Sequence, residues 1–442
     1  MAKVLVIGSG GREDTLIWKL RRNQYVDKAF YSPGNGGIAE MAEVIDINDH
    51  NFNGLANFAE DNNIDLTVIG PEDPLVNGIV DYFQERGLRI FGPNKEAAKL
   101  EGSKVFAKQF MAKYGIPTAD FEVFDKPIDA QVYTDKYKNP LVIKADGLAA
   151  GKGAIVCDTA IEQMKAIKEI MIDKVFGIAG NKIVIEEKLV GEEASILVIC
   201  DGENYVCLAS SQDHKPVYET EEDKLRLEAI IKEKLSKKIG DNTGGMGAYA
   251  PAPIITLEMQ SKIEKEIIKP TLQGIAKEGM PYKGCLYIGL MITKDGPKVL
   301  EYNCRFGDPE TQPVLMLLEN DFYDLLNRSI DGALGEVQVK NKQGAACCVV
   351  MASGGYPYSK HIQKGKIITL PSLIGLEDGH IAFAGVKKDG GNLVTSGGRI
   401  LGVTMYGKDI RDAIEKAYTL IEEIDFERKY YRNDIGQRAL RR

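Results

Sequence analysis

Short, mainly apolar runs constrain the first hundred residues more than any other feature. The runs at 4–7, 28–31, 66–69 and 90–91 are too short for helices, and a helical stretch at 14–22 follows the first. Strands apolar on both faces need cover on both faces, so they predict a parallel sheet packed between helices. Three turns leave one edge of that sheet: Gly8-Ser9-Gly10-Gly11-Arg12-Glu13, Gly34-Asn35-Gly36-Gly37 and Gly70-Pro71-Glu72-Asp73-Pro74-Leu75. Ligands bind at that edge in open α/β sheets, and a glycine turn entering a helix offers N–H groups to a phosphate. The first turn departs from the dinucleotide fingerprint at Glu13, and Ser32-Pro33-Gly34-Asn35 stands where a ribose-binding acid belongs. NAD is therefore rejected.

A helix at about 103–118 carries Lys104 in its first turn. A strand at 140–144 then ends in Lys144, and Ala145-Asp146-Gly147-Leu148-Ala149-Ala150-Gly151-Lys152-Gly153 leads into a second strand at 154–157. A Walker A loop needs a helix next, so this glycine loop reads as a flap over phosphates with Lys144 beneath it. Protein kinases use similar mechanics, but no H-R-D or D-F-G follows. After a helix at 161–173 and a strand at 182–186, strands at 194–200 and 205–211 form a hairpin through Asp201-Gly202. The second delivers Gln212-Asp213-His214-Lys215, which places His214 near a ligand. Residues 219–239 read as a solvated helix with a rough apolar stripe (Leu225, Leu227, Ile230, Ile231, Leu235), and Asp241-Asn242-Thr243-Gly244-Gly245-Met246-Gly247 as an anion-binding loop.

A helix at 257–278 and a strand at 285–292 lead to a further strand at 297–304. Alternation puts Glu301, Asn303 and Arg305 on one face and Tyr302 and Cys304 on the other. A carboxylate and an amide oxygen two positions apart suit a hard cation such as Mg²⁺, and a guanidinium suits the anion it carries. The same pattern also fits a strand whose polar side is simply wet. Strands at 345–351, 381–386 and 400–405, the helix 408–423 and the turn Ser396-Gly397-Gly398-Arg399 make a small α+β domain.

At 442 residues, three or four domains are expected, and 44% hydrophobic with 27% charged residues supports large cores. A net charge of −8 without a long basic block argues against a nucleic-acid partner. The 7 cysteines lack a C-x-x-C and sit mostly in strand-like runs, which suits buried thiols in a reducing compartment. Met1 leads straight into the first strand and no apolar run is long enough to span a membrane, so a cytoplasmic protein with no membrane partner is expected.

Lys104, Lys144 with its flap, the acids from Glu186 to Glu193, and Glu301 with Asn303 together resemble the ATP-grasp superfamily. Gly8 to Glu13, Gly70-Pro71-Glu72, Ile143 to Gly153, Ser211 to Lys215, Asn242 to Tyr249, Asn303 to Gln312 and Arg432 to Gly436 narrow the resemblance to the phosphoribosylamine–glycine ligase family, over essentially the whole chain. It implies an α/β and α+β multidomain fold: an N-terminal parallel-sheet (pre-ATP-grasp) domain at 1–102, a two-lobed ATP-grasp fold and a C-terminal α+β domain at 330–442. The central ATP-grasp lobe would span 103–122 and 191–329, with a lid lobe at 123–190.

The resemblance implies that glycine and 5-phosphoribosylamine are joined with ATP, without a covalent enzyme intermediate. Glu301 and Asn303 would hold Mg²⁺ (or Mn²⁺). Lys104, Lys144, Gly151, Lys152 and Gly153 would cover the ATP phosphates, with Glu186, Glu187 and Leu189 at adenine and Glu193 at ribose. Asn242, Thr243, Gly244 and Gly245 would hold the carboxylate substrate, and Gly10, Gly11, Asn35 and Glu72 the ribose phosphate. Asp213 and Lys215 would face the junction between substrates, and Arg305 the transferring phosphoryl group, so that Arg305, Lys144, Asp213 and Lys215 form the catalytic set. A monomer or weak homo-oligomer is expected. Asp14 stands where the family has histidine, Pro216 where it has arginine, and 219–239 where it has a short glycine-rich link. These departures leave a related ligase with another amine substrate as the alternative; a nucleotide sensor without turnover would not need the full set of lysines, Glu301, Asn303 and Arg305.

Overall fold

Five parallel strands form the N-terminal sheet, in the order Glu43–Val44, Val26–Pro33, Ala2–Gly8, Leu66–Ile69, Ile90–Phe91. The structure is a computed structural model that describes every residue except 39–40, 138, 150–152, 238, 373–375, 377 and 442. Val4, Leu5, Val6 and Ile7 are all fully buried, as a strand covered on both faces requires. The helix Gly11–Arg21 begins directly after the first turn.

The central lobe is an antiparallel sheet of Tyr205–Cys207, Glu192–Asp201, Lys283–Thr293 and Gly296–Asn303. The lid lobe is a second antiparallel sheet ordered Phe121–Phe124, Ile183–Glu187, Leu141–Ala145, Ala154–Cys157. Its first strand was not expected and starts two residues before the anticipated lid boundary at 123. The lid has a core of its own, including Leu141, Ile143, Cys157, Ile170 and Ile185. The helix Lys104–Lys113 ends earlier than 118, because Gly115 takes φ +66 ahead of Pro117.

The C-terminal sheet runs Gln212–Asp213, Gly247–Ala250, Ala345–Ala352, Arg399–Gly407, Gly379–Phe383, all antiparallel. Its first two strands come from the stretch assigned to the central lobe; the expected 205–211 strand is confined to Tyr205–Cys207 in the central sheet, and the chain then passes to the C-terminal sheet at Gln212–Asp213. Asp213 thereby sits where the central and C-terminal sheets meet.

The 219–239 stretch is not a solvated helix. Thr220 caps the helix Glu221–Ile231 and Lys232, at φ +58, ends it. Leu227 and Ile231 are buried, while Leu225 is exposed. The Asp223 carboxylate accepts the Asn433 N–H at 3.2 Å, and Arg226 donates to the Tyr431 carbonyl at 3.2 Å. Arg432, fully buried, pairs with Glu219 and Asp434 and donates to the Pro216 carbonyl.

Candidate active site

The strand Gly296–Asn303 supplies the floor of the site. Tyr302 and Cys304 are buried on its inner face, where the Tyr302 hydroxyl meets Thr271 Oγ1 at 2.7 Å. Glu301, Asn303 and Arg305 open onto a cleft whose walls also include Glu72, Asp213 and Asn242. Burial opposes charge on Glu301, but Lys215, Lys144, Lys104 and Arg305 outweigh it and hold the carboxyl down to about 2. Glu301 is therefore an anion at neutral pH. Among the described residues no group of three or more His, Cys, Asp or Glu forms a metal cage. An anionic carboxylate beside an amide oxygen still fits Mg²⁺, which takes few protein ligands and completes its shell with water and substrate phosphate.

Lys104, Lys144 and Lys215 also line the cleft. Lys144 Nζ donates to the Leu300 carbonyl at 3.1 Å, and Lys104 Nζ to the Gly147 carbonyl at 3.0 Å. Burial lowers the Lys104 ammonium from its ordinary value. Lys215 Nζ lies 3.1 Å from Glu193 and 3.7 Å from Glu301. Burial disfavours its charge, but Glu193, Glu301 and Asp213 push its pKa well up, while burial raises that of Asp213. Arg305 lies between Glu72 (3.2 Å) and Glu101 (3.3 Å), both from the N-terminal domain. A cation-lined trough facing one ionised carboxylate can hold a metal-bound polyphosphate and stabilise charge moving along it.

The chain matches family models for phosphoribosylglycinamide synthetase: the N domain over residues 2–101, the ATP-grasp (A) domain over 102–311 and the C domain over 346–438. The chain belongs to the phosphoribosylglycinamide synthetase family. It is 46% identical over 443 residues to the phosphoribosylamine–glycine ligase of Vibrio parahaemolyticus, covering 100% of this chain and 99% of the relative. It is 47% identical to that of Ralstonia nicotianae, covering 100% of both. The crystal structure of phosphoribosylamine–glycine ligase from Thermotoga maritima superposes with a TM-score of 0.80 at 35% identity, covering 98% of this chain and 100% of that one. A biotin carboxylase from Campylobacter jejuni shares the fold alone, with a TM-score of 0.71 at 14% identity over 100% of this chain and 95% of that one.

The cleft brings together most of the expected residues. Lys104, Lys144, Gly153, Glu301, Asn303 and Arg305 line it, as do Glu72, Asp213, Lys215, Asn242, Thr243 and Gly244. Gly151 and Lys152 lie outside the described residues. Gly245 stands behind the cleft at φ +109, where a Cβ would lie 2.3 Å from Pro309 Cδ.

Several expected groups are engaged by the protein itself. The Gly10 N–H donates to Glu13 Oε2 at 2.7 Å, and a Cβ at Gly11 would lie 3.3 Å from Gln312 Nε2. Asn35 donates to the Ser9 and Phe383 carbonyls and accepts the Gly37 N–H. The Gly10 N–H and the Asn35 side chain, expected to meet a phosphate, are thus engaged within the chain, and Asn35 also lines a second pocket with Lys387 and Lys388. Glu186 is buried between Lys144 and Lys108, and burial is overcome by those lysines to lower its pKa. Its carboxylate orients the lysines where an adenine contact was expected. Glu187 accepts from Lys298 at 3.1 Å, and Leu189 is half-buried outside the lining.

His214 is 2% exposed and packs 5.9 Å from the Tyr249 ring. Burial, then Arg432 and Arg438, push its pKa well below the ordinary value. The expected ligand contact is lost because alternation sends Asp213 and Lys215 to the cleft and His214 away from it. Asp14 does not face the cleft either: fully buried, it pairs with His380 at 2.8 Å, and Trp18 stacks on that imidazole at 4.9 Å.

Four participants were missed. Lys108, four residues after Lys104 on one helix face, was open to detection by helical spacing; it lines the cleft and donates to Thr118 at 2.7 Å. Glu101 also accepts the Cys304 N–H at 2.6 Å. Glu310 accepts the Tyr287 hydroxyl at 2.9 Å, and Asp308 accepts from Arg399 at 2.5 Å. No local spacing announces these three.

Proposed function

We propose that this chain joins glycine to 5-phosphoribosylamine, with ATP converted to ADP and phosphate, through a glycyl phosphate. The supporting observation is the ionised Glu301, beside Asn303, sharing one cleft with Lys104, Lys144 and Arg305. A carboxylate is a poor acyl donor because its leaving group would be oxide; phosphorylation turns that group into phosphate, which an amine can displace. Positioning and charge neutralisation carry such a transfer.

Lys104 and Lys144 would bind the ATP phosphates, with Glu186 and the Leu300 carbonyl fixing the direction of Lys144. Arg305, steadied by Glu72 and Glu101, would face the transferring phosphoryl group. Asn242 to Gly244 would hold the glycine carboxylate, and Asp213 and Lys215 would lie where the amine meets the acyl phosphate. Leu148 and Ala149 of the flap roof the cleft and would exclude the water that hydrolyses an acyl phosphate. Glu301 and Asn303 would hold Mg²⁺ or Mn²⁺, which when bound neutralises phosphate charge. Among the described residues no helix is long and apolar enough to cross a membrane, and the reading includes a cytoplasmic location, small-molecule partners only, and a monomer or weak homo-oligomer.

ADP release measured with each substrate omitted tests the reaction. Turnover should require both glycine and phosphoribosylamine, and equal turnover with another amine would overturn the assignment. Glu301→Ala should lower the Mg²⁺-dependent rate by about 100-fold or more.

A further inference from the structure

Where the lid strand Leu141–Ala145 runs out, the chain is still held to its own lobe. The Ala145 N–H donates to the Gly153 carbonyl at 2.9 Å and the Asp146 N–H to the Lys182 carbonyl at 3.1 Å. The Asp146 side chain, in contrast, leaves the lid. Its Oδ1 accepts from Ser103 Oγ at 2.9 Å and from the Val105 N–H at 3.1 Å. Both donors belong to the start of the helix Lys104–Lys113, outside the lid. Ser103 is at the same time that helix's own cap, accepting the Phe106 N–H at 3.0 Å. Between the two donors lies Lys104, whose ammonium donates to the carbonyl of Gly147, the residue after Asp146.

Lys104 is thus held from the base of the flap in two ways: Asp146 bonds its neighbours Ser103 and Val105, and the Gly147 carbonyl takes its ammonium. The first-turn N–H groups of a helix have no partner within it, and a carboxylate there makes charge-assisted bonds. The lid's separate core leaves its placement over the cleft dependent on ties of this kind.

We infer that Asp146 is a positioning residue for ATP: by tying the base of the flap to the Ser103–Val105 turn, it sets Lys104 opposite Lys144 so that both ammonium groups meet the triphosphate. The inference rests on the proposed placement of the triphosphate at those lysines.

The test uses the full chain and reads ATP KM, kcat, and calorimetric binding of a non-hydrolysable ATP analogue with Mg²⁺. Asp146→Ala should raise ATP KM and the analogue Kd about tenfold, with kcat kept within about threefold. Asp146→Asn keeps an oxygen able to accept both bonds and should stay within about threefold of the parent. Ser103→Ala, which removes a donor from the other side, should also raise ATP KM, and Ser103→Thr should restore it. Added to Asp146→Ala, Ser103→Ala should cost less than it does alone. Asp146→Ala, or Ser103→Ala should the first not fold, that lowers Tm but leaves KM and Kd at parent values would overturn the inference. Lys104→Ala and Lys144→Ala separate the two failures. If neither weakens analogue binding, the triphosphate placement fails; if both do and Asp146→Ala does not, the inference alone fails.

Discussion

Glu13 is buried in the N-terminal domain with glycines on three sides. A Cβ would lie 2.5 Å from its Cγ if built at Gly8, 2.9 Å from Oε2 at Gly10 and 2.0 Å from Oε1 at Gly70. Its carboxylate takes the Gly10 N–H and pairs with Arg12 at 2.5 Å. The glycines of the first and third turns therefore make room for an acid of the chain itself, at the place where a phosphate was expected. Gly70→Ala should cost roughly 2–4 kcal/mol in denaturant unfolding, because a buried, ion-paired acid has little room to retreat. A loss under about 0.5 kcal/mol would show that Glu13 moves aside freely. The sequence marks Glu13 as the departure from a dinucleotide turn, yet spacing cannot say which group fills a cradle. The same holds for Glu186 and Asp14, whose partners Lys144, Lys108 and His380 are distant in sequence and become neighbours through the fold alone.

Elements were more legible where one physical signal dominates. Alternation along the strand Gly296–Asn303 separated Glu301 and Asn303 from Tyr302 correctly, because one face packs and the other is wet. It failed for the helix Glu221–Ile231, where many charges suggested solvent on all sides. Those charges are partly spent inside: Asp223 meets the Asn433 backbone, and Glu219, just before the helix, meets buried Arg432. Two leucines on this helix separate the readings. Leu227 is fully buried and Leu225 is half exposed. Leu227→Ala should destabilise the chain by about 2–4 kcal/mol and Leu225→Ala by no more than about 0.5. Equal, small effects in thermal and denaturant unfolding would return the helix to the solvent. The short strands Phe121–Phe124 and Gln212–Asp213 escaped because their pairing partners, not their own residues, make them strands.

On the scale of the molecule, the site exists because separate units converge on it, and Arg305 shows how they are joined. It follows the central-lobe strand and pairs with Glu72 of the N-terminal domain and with Glu101, which leads into the ATP-grasp part. Burial opposes charge on Glu72, but Arg305 and then Arg12 outweigh it and bring the carboxyl to about 2. A folded-state pKa below the unfolded value contributes stability that is complete above the unfolded pKa of about 4.5 and fades as pH falls through about 2. Glu72→Gln removes that contribution and leaves Arg305 its pairing with Glu101, so the variant has a reason to fold. The stability gap between the parent and Glu72→Gln should therefore be about 1–2 kcal/mol at pH 6, allowing for the side chain's partial exposure, shrink by pH 3 and close near pH 2. Glu101, whose carboxyl burial raises, is pushed up further by the Glu72 charge, a repulsion that Glu72→Gln relieves and that trims the gap at pH 6. A gap that stays constant from pH 6 to pH 3 would mean that the contact between Glu72 and Arg305 acts through packing, and that charge does not hold the N-terminal domain against the cleft.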